Sequence, residues 1–223
     1  MTATVLIPSA FPDLTHLSLL KHADFSCYFT GESFSRKSPF HRGCIRTREG
    51  LGWLTLPVHP SDKKKLYHEV RLDTSVGWVS KFMLSLKHSY QHSTYFDFYA
   101  DEIEADFQQA ASFELLFDAV QHLHTRLFRY LEWHIHPQII YTEAELHQFL
   151  EETSPKIVFT EPGSRYYRKR IPNQIEPHLV LPEYAQSHAP FLPGCCVLDL
   201  LFHYGPESFK VLDRLNPPVE SCS

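Results

Sequence analysis

Hydrophobic and polar positions along this chain change period several times, and each change marks a different kind of element. Thr4 to Pro8 is a short continuous apolar run, the pattern of a strand buried on both faces. A loop with Pro8, Pro12 and Asp13 follows. Leu14, Leu17, Leu19 and Leu20 then predict a short amphipathic helix ending near Ala23. Phe25 to Phe29 is a second apolar strand. Such a β-loop-α-β opening is the start of an α/β unit with parallel strands.

Two alternating runs come next, Gly43 to Arg48 and Gly52 to Val58, with Glu49-Gly50 between them, and predict a β-hairpin. Asp62 to Lys65 reads as a solvated turn, and Tyr67 to Asp73 alternates again as one more strand. From Trp78 to about Trp133 the period turns helical. Phe82, Leu86 and Tyr90 share one face. Ser112 is placed to cap a helix whose apolar face is Leu116, Val120, Leu123, Leu127 and Tyr130. Thr142-Glu143-Ala144-Glu145 is a capping box opening a further helix. Lys156 to Thr160 and His178 to Leu181 read as short strands. The expected fold class is α/β: a mostly parallel sheet beginning β-loop-α-β, with a β-hairpin and a helical insertion over about residues 76–135, in one domain over 1–215 with a frayed tail from 216 to 223.

The late segment Pro190 to Pro206 predicts a helix with punctuation at both ends. Pro193-Gly194 opens it and Gly205 takes the position past its end, where a left-handed residue is wanted. Inside it Asp199 stands among Val197, Leu198, Leu200, Leu201 and Phe202. A carboxylate there is costly unless it is paired, so it meets a cation or backbone N–H groups, or it faces a site.

Composition narrows the function classes. At 43% hydrophobic and 14% aromatic over 223 residues the chain can bury a sizeable core, and a net charge of −5 argues against a general nucleic-acid binder. The first residues lack the basic flank of a signal peptide, no stretch is long enough to span a membrane, and five cysteines without an export signal read as reduced thiols of a cytoplasmic protein.

Several constellations could carry chemistry. Ser35 to Arg48 holds five Lys/Arg and no acid, including Arg36, Lys37 and Arg42. Placed after the second strand, it is either a phosphate or carboxylate site or a solvated basic loop that pairs with Asp97 to Asp118, where seven acids occur without Lys/Arg. The Pro8 to Leu17 loop precedes a helix N-terminus, an anion site by geometry. It is faintly similar to the first strand–loop–helix of the nucleotidylyltransferases with a His-x-Gly-His motif, without the glycine and the first histidine. His16 is the candidate catalytic residue there, and an exposed helix position is the competing reading. His88 and His92 have metal-binding spacing, but no third ligand or Cys-x-x-Cys accompanies them, and no metal site is expected. Cys195-Cys196, at the start of the late helix, reads as a nucleophile or, more simply, as buried structural thiols. Arg165 to Arg170 reads as a Tyr/Arg loop able to close over a ring and a phosphate, or as plain surface.

Four ordered blocks resemble the WbqC-like protein family. They are Pro8 to Pro12 with Ala23-Asp24; Phe34 to Ser38 with Arg42, Ile45 and Trp53 to Val58; Trp78 with Tyr95-Phe96 and Tyr99; and Tyr184-x-Gln186, Phe191-Leu192-Pro193, Leu198 to Phe202 and Gly205-Pro206. The resemblance implies a bacterial cytoplasmic protein of surface-glycan assembly (O-antigen or lipopolysaccharide) acting on activated sugars. Its matched motif positions are Arg36, Lys37, Arg42, Tyr184, Gln186 and Asp199. The chain departs from that pattern where Cys195-Cys196 replaces a frequent Leu-Ser. The reading that follows is a transferase for a nucleotide-activated sugar or an acyl/aminoacyl donor. Arg36, Lys37 and Arg42 hold phosphate, Asp199 orients one of these cations or serves as base, and Tyr184 and Gln186 line the pocket. The rival is a non-catalytic assembly or binding factor of the same pathway, with Asp199 in a structural ion pair. The expected partner is a small-molecule substrate, a nucleotide sugar among the candidates. No cofactor, metal, donor or oligomeric state is legible.

Overall fold

The computed structural model describes residues 1–160, 171, 174–175 and 177–220; Arg165 to Arg170 lie outside the described residues. β1 (Thr2–Leu6) is the middle of a parallel sheet with β2 (Phe25–Phe29), β5 (Gln138–Ile140), β6 (Ile157–Thr160) and β7 (Gln174–Ile175), in the order β5-β2-β1-β6-β7. The central strand is covered on both faces, and so Ala3, Val5 and Leu6 are wholly buried.

α1 (Leu14–Lys21) links β1 to β2 and is capped by Asp13, whose Oδ1 accepts from the His16 N–H at 2.9 Å. The hairpin of β3 (Arg42–Thr47) and β4 (Gly50–Thr55) forms as expected, and its ladder closes at Thr47–Gly50. α5 (Glu143–Thr153) begins with the expected capping box: Thr142 Oγ1 accepts from the Glu145 N–H at 3.2 Å, and Glu145 accepts from the Thr142 N–H at 3.1 Å.

The helical insertion is α2 (Trp78–Tyr90), α3 (Phe96–Ala110) and α4 (Leu116–Tyr130). Trp78 and Phe82 of α2, Phe107 of α3 and Phe11 from the loop after β1 form one ring cluster with centroids 4.8 to 6.2 Å apart. Phe11 thereby ties the insertion to the sheet. The late helix is α6 (Val197–Tyr204), followed by α7 (Phe209–Leu212). Gly205 ends α6 at φ +50°, and a Cβ there would lie 2.6 Å from the Tyr95 ring, so both backbone and space require glycine. A two-residue ladder joins β8 (Pro177–His178) to β9 (Val219–Glu220).

Local expectations are corrected in several places. Ser112 does not cap α4; the helix starts at Leu116 after Leu115, and the Ser112 hydroxyl donates back to the Gln109 carbonyl. Tyr67 to Asp73 forms no strand. It makes a tight turn at Tyr67–Glu69 and isolated bridges from Arg71 and Leu72. Asp62 is not solvated: it is fully buried, and Arg71 donates to both its oxygens at 2.9 and 3.0 Å. That guanidinium holds the carboxyl well below the usual carboxylate range. His92 lies past the end of α2, so His88 and His92 do not share one helix.

Candidate functional site

A cleft of about 330 Å³ opens where the loop after β1 meets the basic segment. Ser9, Asp13 and His16 supply one wall, Lys37, Arg42, Gly43 and Cys44 the other, and Trp53 and Gly194 the rim. Backbone bonds draw the walls together. The Ala10 N–H donates to the Phe40 carbonyl at 3.1 Å, the Cys196 N–H to Cys44 at 2.7 Å and the Val197 N–H to Pro12 at 2.8 Å. The N–H groups of Val197, the first residue of α6, and of its cap Cys196 are therefore spent on loop carbonyls. Gly43 makes the approach feasible: a Cβ there would stand 2.4 Å from Phe11 Cβ.

The cationic wall is partly pre-ordered. Arg42 Nη2 donates to the Lys37 carbonyl at 2.7 Å, and its Cζ lies 4.3 Å from the Trp53 ring centroid. Trp53 is 58% exposed, so this cation–aromatic pair is open to solvent. Arg36 is exposed and lies outside the lining.

His16 corrects the competing reading. It is buried, not an exposed helix residue, and lines the cleft. Its Nε2 lies 2.8 Å from the Tyr28 hydroxyl, which lies 3.0 Å from Nε2 of His124, whose Nδ1 lies 3.1 Å from the Ser9 carbonyl. A carbonyl only accepts, so His124 carries its proton on Nδ1, and its Nε2 in the neutral ring accepts from Tyr28. Tyr28, having given its one proton, accepts from Nε2–H of His16. The neutral His16 ring therefore keeps its lone pair on Nδ1, which has no partner among the described hydrogen bonds. Burial, with His124 nearby, lowers the His16 pKa to about 3, and burial lowers His124 to about 4. Burial raises the half-buried Asp13 carboxyl, against the N–H groups of His16 and Thr15.

Asp199 is placed differently from expectation. It is wholly buried, and no cation of the basic segment pairs with it among the described residues. Oδ1 accepts from the Tyr90 hydroxyl at 2.8 Å, and Oδ2 from the Tyr184 hydroxyl at 2.7 Å and the Gln186 amide at 3.1 Å. Tyr90 in turn accepts from the Arg46 N–H at 2.8 Å. Hydroxyl and amide donors thus take the place of the expected ion pair. Tyr184 and Gln186 meet Asp199 but do not line the cleft. Arg46, the buried member of the basic segment, spends its guanidinium on carbonyls, among them His188 at 3.2 Å and Pro190 at 3.2 Å. Cys195 and Cys196 are buried, and burial pushes the Cys195 thiol up to about 12 and Cys196 well above its usual value. Both are protonated at neutral pH and neither is poised as a nucleophile.

The model of the WbqC-like protein family matches residues 8–211 of the chain.

The chain belongs to the WbqC-like protein family.

No curated protein and no solved structure gives a significant match. The matched span contains the cleft, the His16–Tyr28–His124 series and the Asp199 cluster. In this WbqC-like protein, no helix among the described residues is long and apolar enough to cross a membrane, and no group of three or more His, Cys, Asp or Glu side chains among them could hold a metal ion. Tyr28, His124, Trp53 and Gly43 are the site's contributors that sequence reasoning missed. One signal was present for His124: it follows Val120 and precedes Phe128 at four-residue spacing, on the buried stripe of α4.

Proposed function

We propose that this WbqC-like protein is an enzyme of bacterial surface-glycan biosynthesis, of the O-antigen or lipopolysaccharide kind. It is a cytoplasmic transferase acting on a nucleotide-activated sugar or an acyl/aminoacyl donor. The observation that carries this reading is a neutral histidine, held with its Nδ1 lone pair free in a cleft that Lys37 and Arg42 make cationic. Such a group accepts the hydrogen bond of an acceptor hydroxyl or amine and aims that atom at the donor's electrophilic carbon, and the acceptor's proton leaves with the departing group. With a nucleotide sugar, the bond from that carbon to the diphosphate breaks, its electron pair leaves with the diphosphate, and Lys37 and Arg42 stabilise the charge. Arg36, exposed beside this wall, adds to its positive field. Asp199, Tyr184 and Gln186 act as positioning residues behind Cys195, whose backbone runs beside Cys44. The free thiols of Cys27, Cys44, Cys195 and Cys196 suit a reducing compartment.

The test is thermal shift with a uridine diphosphate sugar and an acyl-nucleotide, followed by product detection by mass spectrometry with mixed acceptors. A donor that binds the native state raises its melting point. The expected result is a shift lost in Arg42→Ala, and turnover lost in His16→Gln while the shift remains. Stabilisation without turnover in the wild-type chain would favour the binding or assembly factor. No shift with either donor would sink both readings of this cleft.

A further inference from the structure

A second cleft, of about 440 Å³, shares no lining residue with the first. Tyr28 and His124, the far members of the series that begins at His16, open onto it. Its walls are aromatic and aliphatic, with Phe128, Trp133 and Ile139 beside Tyr28. Its polar groups are Arg129, which only donates, Gln121, Thr125, His134 and His136, which can donate or accept, and the one acid Glu132.

One feature there lacks an explanation from folding alone. Trp133 Nε1 is buried and has no acceptor, a condition that costs free energy in a finished structure. Glu132, at φ +53°, is accounted for by the end of α4, where the Trp133 N–H donates to the Phe128 carbonyl at 2.8 Å. Arg129, exposed at the same rim, has no ion-pair partner among the described residues. Among the described residues, a guanidinium without an ion pair, an indole N–H without an acceptor and apolar walls call for one chemistry: an acceptor-bearing planar group next to a negative charge.

We propose that this second cleft binds a planar ring carrying an anionic group, with Arg129 on the anion and Trp133 Nε1–H donating to the ring's acceptor edge. A nucleoside monophosphate and an aromatic carboxylate are the two sources of that chemistry. The site stands independently of the role given to His16.

The experiment follows the indole N–H signals of the full chain in ¹H–¹⁵N spectra, with Trp133 identified by its loss in Trp133→Phe. Uridine monophosphate and indole-3-carboxylate are titrated separately, with uridine and inorganic phosphate as half-probes. The expected result is a saturable downfield movement of the Trp133 signal with one full probe, which names the source. Affinity should fall about tenfold or more in Arg129→Ala and stay unchanged in Arg42→Ala. Arg129 is exposed, so its removal leaves the core intact. An unmoved Trp133 signal with both full probes, or equal affinity in Arg129→Ala, overturns the proposal.

Discussion

The Tyr28 hydroxyl stands 3.0 Å from Nε2 of His124 and can only donate there, because the other nitrogen of His124 already donates to the Ser9 carbonyl. The direction of that one bond sets which nitrogen of His16 carries the proton.

Tyr28→Phe should therefore act on His16 from outside the first cleft. Removing the hydroxyl leaves Nε2 of both rings buried without this partner, at a cost of about 1–3 kcal/mol, to be read from urea denaturation. Imidazole ¹⁵N shifts of His16 should change from a single Nε2–H tautomer to a mixture. An unchanged tautomer would mean that Tyr28 does not direct the ring.

Stability should fall as the pH drops below about 6.5. His16, His41 and His124 have folded pKa values lowered to about 3, 4 and 4 from 6.5, each chiefly by burial. The unfolded chain binds their protons first, so their contribution is complete above 6.5 and is lost progressively down to those folded values. Each adds a slope of up to about 1.4 kcal/mol per pH unit in that window. His41→Gln should lower the slope by one proton, and denaturant melts at pH 7, 6 and 5 measure it.

Gly43→Ala should damage both fold and cleft. The added methyl would meet Phe11 Cβ at 2.4 Å and the Phe11 carbonyl at 3.0 Å, and both belong to the loop that forms the opposite wall. Overpacking of this kind costs about 1–3 kcal/mol. Thermal melting should show the loss. A melting point equal to wild type would show that the two walls do not approach as closely as described.

Asp199 should prove structural first. Tyr90, Tyr184 and Gln186 all donate to it, and Asp199→Ala strands those donors in the core, at about 3 kcal/mol or more. Asp199→Asn keeps one acceptor oxygen and should cost less. Equal melting points for Asp199→Ala and wild type would show that the cluster carries no stability.

Glu132→Gly should stabilise the protein. The residue ends α4 at φ +53°, where a side chain is strained, and glycine should gain about 0.5–1 kcal/mol. A loss of stability would show that the Glu132 side chain makes a stabilising contact.

Period and punctuation made much of the fold legible. The apolar run before Pro8, the Thr142 capping box and the Gly205 stop each act within a few residues, so local rules suffice for them. Asp62 and Arg71 show where such rules end. A lysine-flanked aspartate reads as surface, and only the returning chain brings the guanidinium that allows it to be buried. His16 failed in the same way: nothing near it in sequence signals a tyrosine and a second histidine from β2 and α4.

By itself the sequence determined the α/β class, the parallel opening, the hairpin, the family resemblance, and the Pro8 to Leu17 loop and the basic segment as separate candidates. Tertiary structure alone decided that Asp199 is met by tyrosines and an amide, that Arg46 serves carbonyls, and that His16 is neutral with a defined free nitrogen. Periodicity records which face of an element leaves water. The partner of a buried polar group is set by distant chain segments, because a desolvated donor or acceptor must be satisfied wherever the fold brings a complement.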